Sequence, residues 1–283
     1  MKNNKRRLLS VSAAFLLVSM AILSSCSDDE GINELATKKE EAVSAYADVV
    51  YNNYLDALTA AKTMQTAIKS MTDAPSAQTY EAAKQSWLAA REPYGQSEAF
   101  RLYGGPIDDE DGPEGQLNAW PLDESYIDYV SGASNGDNPA DNNNTNIINS
   151  PQDFPTINAS VIASLNEEGS ETNVSSGFHA IEFLLWGQDV SAGAGGGERT
   201  FEDYVDGSAD NADRRADYIN AVADLLVADL QSLVDEWAPN SAFRTSFTSE
   251  NQTDASLEKI LNGIGKLSKG ELAGERMFVA WDL

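Results

Sequence analysis

The chain is 283 residues long and carries 45 acidic against 19 basic side chains, a formal charge of −26, with one histidine and one cysteine. Such an acidic balance excludes nucleic acid as a ligand, because holding phosphates requires a basic footprint. One cysteine excludes an intrachain disulfide and any thiolate metal cluster, while the length suffices to bury one large core or two small ones.

Residues 1–25 read as a signal peptide. Met1 to Arg7 is a basic start, and Leu8 to Leu23 is an apolar run too short for a comfortable membrane span. Leu23-Ser24-Ser25-Cys26 is similar to a bacterial lipoprotein box, which implies cleavage before Cys26, lipid on its thiol and an outer-membrane anchor. Ser27-Asp28-Asp29-Glu30 resembles the export signal of surface lipoproteins in Bacteroides-like bacteria, so residues 26–33 are expected to form an acidic tether on an exposed envelope protein. Cleavage would remove four basic residues and no acidic one, leaving 45 against 15 and a formal charge of −30. That charge favours cations and solubility without marking a site.

The first helix is expected over residues 34–71. Val43, Tyr46, Val50, Tyr54, Ala57, Ala61, Met64, Ile68 and Met71 recur at steps of three and four, the pattern of a core-facing stripe. Pro75 ends it, and Ser76 is placed to cap a second helix over 77–103. The second stripe runs through Tyr80, Ala83, Trp87, Ala90 and Tyr94, then turns polar at Glu98 and Arg101, beside the bend expected at Pro93. Glu98 is either a site residue at this break or a partner for Arg101 at i,i+3.

Tyr103 to Pro113 is a loop with four carboxylates whose spacing does not follow an EF-hand. One or two helical turns follow near 125–130, then a Gly/Asn/Asp/Ser tract over 131–150 and a modest helix over 156–166. Residues 174–187 hold a helix apolar on nearly every side, capped by Ser175 or Ser176 and ended by Gly187. It carries His179 and Glu182 three residues apart, hence on one face. A buried carboxylate costs several kcal/mol, roughly, unless it is paired. A metal ion would satisfy both residues, and so would an ordinary hydrogen-bonded pair.

Ser191–Gly197 reads as a flexible connector without the lysine of a phosphate loop. A long helix is expected over 209–237 and a shorter one over 254–268, with a further element beginning at Gly270. No stretch alternates with period two. The fold class is therefore all-α: one helical bundle over 34–190 and a second, one helix short, over 191–283.

Several segments in order resemble the imelysin family, also called the insulin-cleaving membrane protease family. They are Ala90 to Arg101, Gly105-Pro106-Ile107-Asp108, Ala119-Trp120-Pro121-Leu122-Asp123, the Gly-x-His-x-x-Glu signature at Gly177, His179 and Glu182, Trp186-Gly187, Arg214-Arg215 with Tyr218, and Leu272 to Met277. The resemblance implies two adjoining up-and-down helical bundles with the His-x-x-Glu helix near the cleft between them, and a link to iron uptake at the cell envelope. Longer members continue beyond the segment matching Glu275-Arg276-Met277, so the second bundle is expected to be incomplete here.

Three functions follow as expectations. In the first, a metal ion is held by His179, Glu182 and Glu98. Iron is the leading metal and zinc and copper are alternatives, with Arg101, Asp108 and Asp123 in supporting positions and iron-uptake components as partners. In the second, the chain is a metal-dependent peptidase, although a zincin motif needs two histidines. In the third, the cleft binds a polysaccharide or protein, with Trp120, Trp186 and Tyr103 as stacking surfaces unless they are core.

Overall fold

The computed structural model describes residues 28–130, 145–190, 196–197 and 199–282. The expected signal peptide, the lipidation site Cys26 and most of the 131–150 tract and the 191–197 connector lie outside the described residues.

The described chain is all-α, without a strand. Helix α1 (Asp28–Asp73) buries Val43, Val50, Tyr54, Ala61, Met64, Ile68 and Met71, the stripe expected from spacing. It begins earlier than expected. Asp28 and Asp29, read as part of a tether, are already helical. Helix α2 (Ala77–Gln96) starts with a reciprocal cap. The Thr79 N–H donates to Ser76 Oγ at 3.2 Å, and the Ser76 N–H donates to Thr79 Oγ1 at 3.1 Å. It stops seven residues short of the expected 103, because the chain passes through one 3-10 turn (Ser97–Phe100) and turns extended at Arg101.

Three short helices follow: α3 (Glu114–Asn118), α4 (Glu124–Ile127) and α5 (Ala159–Leu165). They lead to α6 (Gly177–Trp186), the His-x-x-Glu helix. Helix α7 (Ala212–Trp237) is long and buries Tyr218, Val222, Leu226, Leu230, Leu233 and Trp237. After α8 (Ala242–Phe247), helix α9 (Thr253–Lys266) runs on through wider π-type turns (Leu267–Phe278) into α10 (Val279–Asp282). Gly270 therefore does not begin a separate element.

Helix α1 packs against both α2 and α7, and α6 lies against α2, α3, α4 and α7. Their buried side chains form one cluster, which also takes in Phe247 of α8 and Ile260 of α9. Helix α7, from the stretch expected to form the second bundle, packs into the same cluster as α1 and α6. Tyr46, Phe100, Trp237, Phe243 and Phe247 form an aromatic group that draws α8 onto the bundle.

A buried ionic group pins the middle of the chain to α7. Asp128 accepts from Arg199 Nη1 at 2.6 Å and from Arg215 Nε at 2.6 Å and Nη2 at 3.2 Å. Burial pushes the Asp128 carboxyl up, but Arg199 and Arg215 outweigh it and hold the group below its ordinary value.

Candidate functional site

Helix α6 is positioned by close packing at its start. Gly177 has φ +80°, and a Cβ there would lie 2.6 Å from the carbonyl oxygens of Gln116 and Leu117. Only glycine allows this turn and this approach to α3. Ser176 occupies the cap position, but its hydroxyl donates to Gln116 O at 2.9 Å instead of capping the helix, and Ser175 donates to Ile162 O.

The far end of α6 is satisfied in full. A helix leaves its last four carbonyls without intrahelical partners. Here Phe183 O accepts from the Gly187 N–H, and Leu184 O from the Tyr204 hydroxyl. Leu185 O accepts from the Tyr80 hydroxyl, and Trp186 O from the Arg199 N–H. Gly197 passes so close to this end that a Cβ would sit 1.9 Å from Trp186 O. The glycines of the expected linker therefore include one that packs. Trp87 of α2 adds an indole N–H bond to Phe178 O at 2.9 Å.

On this fixed helix His179 and Glu182 meet as their spacing requires. His179 Nδ1 lies 3.0 Å from Glu182 Oε2. The His179 side chain is 17% exposed and that of Glu182 is 43% exposed. The carboxylate expected to need a partner has one, and it also reaches solvent. With Nδ1 as donor to Glu182, Nε2 keeps its lone pair, and it makes no hydrogen bond to the described residues.

The pair opens into a pocket of about 440 Å³, lined also by Trp87, Trp120, Trp186, Glu124 and Asp189. The Trp120 ring lies 4.9 Å from the imidazole, tilted by 51°, and is itself 69% exposed. Trp87 and Trp186 meet edge to face with centroids 5.3 Å apart. Burial pushes the Glu124 carboxyl above its ordinary value, partly offset by a hydrogen bond from Gln188.

The other sequence candidates sit elsewhere. Glu98 pairs with Arg276 Nη2 at 2.5 Å, joining the 3-10 turn to the π-type turns. Arg101 pairs with Glu114 at 2.8 Å and lies over the Tyr94 ring. Asp108 accepts from the N–H groups of Gly104 and Gly105 and shapes the loop. Asp123 caps α4, accepting from Ser125 N at 3.1 Å. Tyr103 packs by Tyr46, outside the pocket. Among the described residues no three or more His, Cys, Asp or Glu side chains are grouped closely enough to hold a metal ion, so Glu98 does not join His179 and Glu182. Trp87 and Glu124 line the pocket without having been singled out. Trp87 reads as one more member of an apolar stripe, and Glu124 as a charge at the start of a short helix.

The comparisons agree with this architecture. A 33% identical match over 88 residues links the chain to "Iron-regulated protein A" of Synechococcus elongatus, covering 31% of this chain and 24% of that protein. A crystal structure of a protein described as an iron-regulated protein A precursor from Parabacteroides distasonis superposes with a TM-score of 0.53 at 19% identity. It covers 81% of this chain and 54% of that one. The chain thus spans about half the length of the solved relative. The family model described as imelysin (peptidase M75) matches residues 50–282, and the chain belongs to the imelysin family.

Proposed function

We propose that this protein handles iron at the cell envelope, taking it as cargo in the pocket over α6. The observation that carries the reading is the His179–Glu182 pair, a nitrogen and a carboxylate on one rigid helix, opening into a cavity with further carboxylates on its wall. The name of the cyanobacterial relative supports an iron-related role. The amino-terminal sequence supports a lipoprotein anchored through Cys26 in the outer membrane, with other iron-uptake components as partners.

The donor set fits this role in a limited way. Imidazole suits iron, but with Glu182 held on Nδ1 the one protein donor, Nε2, leaves most of a coordination shell to water or to groups arriving with the metal. That favours transient holding over a resident cofactor. Glu182 does the work of orienting the imidazole, which metal-ligating histidines commonly need.

The test is metal content by mass spectrometry on the mature chain with Cys26→Ser, after exposure to iron, zinc and copper separately. Near-stoichiometric iron, lost in His179→Ala and kept in Glu98→Ala, is the expected result. Equal iron in wild type and His179→Ala would move cargo binding away from this pocket. A folded protein that takes no iron would overturn the reading.

A further inference from the structure

We infer that the iron taken by this pocket arrives as an iron porphyrin, with Nε2 of His179 as an axial ligand and the macrocycle against Trp120. The inference deepens the iron reading and rests on it for that donor.

The donor set and the wall together select the form of the cargo. Glu182 holds Nδ1 of His179, so the pair offers iron one nitrogen. Among the described residues no three or more His, Cys, Asp or Glu side chains are grouped to complete a shell. A hydrated ion uses the nitrogen but makes no use of an apolar wall. A hexadentate chelator fills every position on the metal and leaves His179 without a role. A porphyrin fills the in-plane positions, leaves the axial ones open and brings apolar faces, and haem iron is often held by a single histidine. The carboxylate on Nδ1 fixes the imidazole and makes Nε2 a stronger donor.

The space suits the rest of such a ligand. About 440 Å³ is far more than one ion fills and lies within the range of small-molecule sites. Trp87, Leu88, Trp120, Leu122, Phe183 and Trp186 make most of its wall apolar. The Trp120 ring lies 4.9 Å from the imidazole, and most of its surface is open. An aromatic face thus stands beside the donor, where a flat ring system can stack on it with an offset.

The acidic residues of the wall do not oppose this ligand. Glu182 is engaged by His179, and Asp189 has a partner of its own. Burial pushes the Glu124 carboxyl above its ordinary value, and Gln188 bonds to it. The propionate edge of the porphyrin is left to solvent. Lys84 Nζ, 5.1 Å from the Trp186 centroid and in no ion pair among the described residues, offers that edge a counter-charge.

The experiment titrates ferric haemin and metal-free protoporphyrin IX into the mature Cys26→Ser chain, followed by Soret absorbance and tryptophan quenching. Haemin is expected to bind one to one with the spectrum of an imidazole-ligated iron. His179→Ala should lose that spectrum and weaken haemin by about 10- to 100-fold or more, since even a supporting partner of a ligating histidine is worth that much. Free imidazole should restore the ligated spectrum in His179→Ala, which shows that the pocket is still formed. Metal-free protoporphyrin should bind wild type and His179→Ala alike, because it has no iron for the nitrogen. Trp120→Ala, at an exposed position, should weaken both porphyrins and keep the wild-type melting temperature. No haemin bound by wild type, a wild-type spectrum without imidazole ligation, or the same spectrum in wild type and His179→Ala would each overturn the inference. Unchanged binding by Trp120→Ala would also overturn it. Iron content after exposure to iron salts is measured separately, without porphyrin. Iron retained from salts with no haemin bound overturns this inference and leaves the iron reading in place. Haemin bound with no iron retained from salts keeps the inference and removes the free ion as cargo.

Discussion

The 3.0 Å contact between His179 Nδ1 and Glu182 Oε2 decides which imidazole nitrogen is left for a ligand. On the proposed iron reading, Glu182→Ala should weaken iron binding by about 10- to 100-fold, the usual cost of removing an orienting partner from a ligating histidine. Glu182→Gln keeps an acceptor oxygen and should recover part of that loss. A titration monitored by iron content checks both. Wild-type iron affinity in Glu182→Ala would mean that the ring needs no orienting.

Asp128 should prove the most sensitive carboxylate in the fold. Removing one member of a buried ionic group strands the others, at a cost of about 3–5 kcal/mol, and Asp128→Ala takes the one carboxylate partner from Arg215 and leaves Arg199 only its longer pair with Asp203 among the described residues. Its folded-state pKa lies below the ordinary value. Its stabilising contribution is therefore complete above the unfolded-state value near 4, roughly, and is lost as pH falls through the folded value. Urea unfolding of wild type and Asp128→Ala should show a large gap at neutral pH that narrows in acid.

What the sequence made legible follows from periodicity. The stripes of α1, α2 and α7 were readable because each repeats at helical spacing over about four turns or more, and every such position reports the same burial. Pairing of His179 with Glu182 was readable for the same reason, since i,i+3 is local geometry. The pocket was not. Trp87 comes to line the same space as Trp120 and Glu124 only through contacts between distant segments, which local spacing does not signal. Glu98 misled because a polar break in a stripe marks a change of surroundings without saying which. Its partner Arg276 is 178 residues away. The Asp128 group was hidden likewise, because Asp128 sits between Ile127 and Tyr129 at the end of a one-turn helix and its arginines come 71 and 87 residues later.

Asp229 of α7 gives a pH effect of opposite sign. Burial pushes its carboxyl up to about 6, and its Oδ2 has no hydrogen-bond partner among the described residues. A raised acid pKa means that the native state binds the proton more tightly than the unfolded chain. Asp229 therefore costs stability when ionised, and that cost is relieved as pH falls from above 6 toward the unfolded value near 4, roughly. Asp229→Asn should raise the melting temperature at pH 7.5 and make little difference at pH 4. Thermal melts of both proteins across that range check it. An equal shift at both pH values would assign the effect to packing instead.

Gly177 couples the fold to the site, because α6 can begin only where the chain turns at positive φ against α3. Gly177→Ala adds a methyl group 2.6 Å from two backbone oxygens that cannot rotate away, in a conformation costly for an L-residue. The strain is of order 1–3 kcal/mol for the backbone angle alone, and the clash adds to it. The helix can relieve the clash only by moving its first turn, which carries His179. Gly177→Ala should therefore lower the melting temperature and also weaken iron retention at temperatures where the variant is still folded. Gly265→Ala, in α9 with nothing within 4 Å of the added carbon, is the control that should do neither. If Gly177→Ala lost stability but held iron as wild type does, the start of α6 would be a matter of folding alone, and the placement of His179 would depend on the four satisfied carbonyls at the other end.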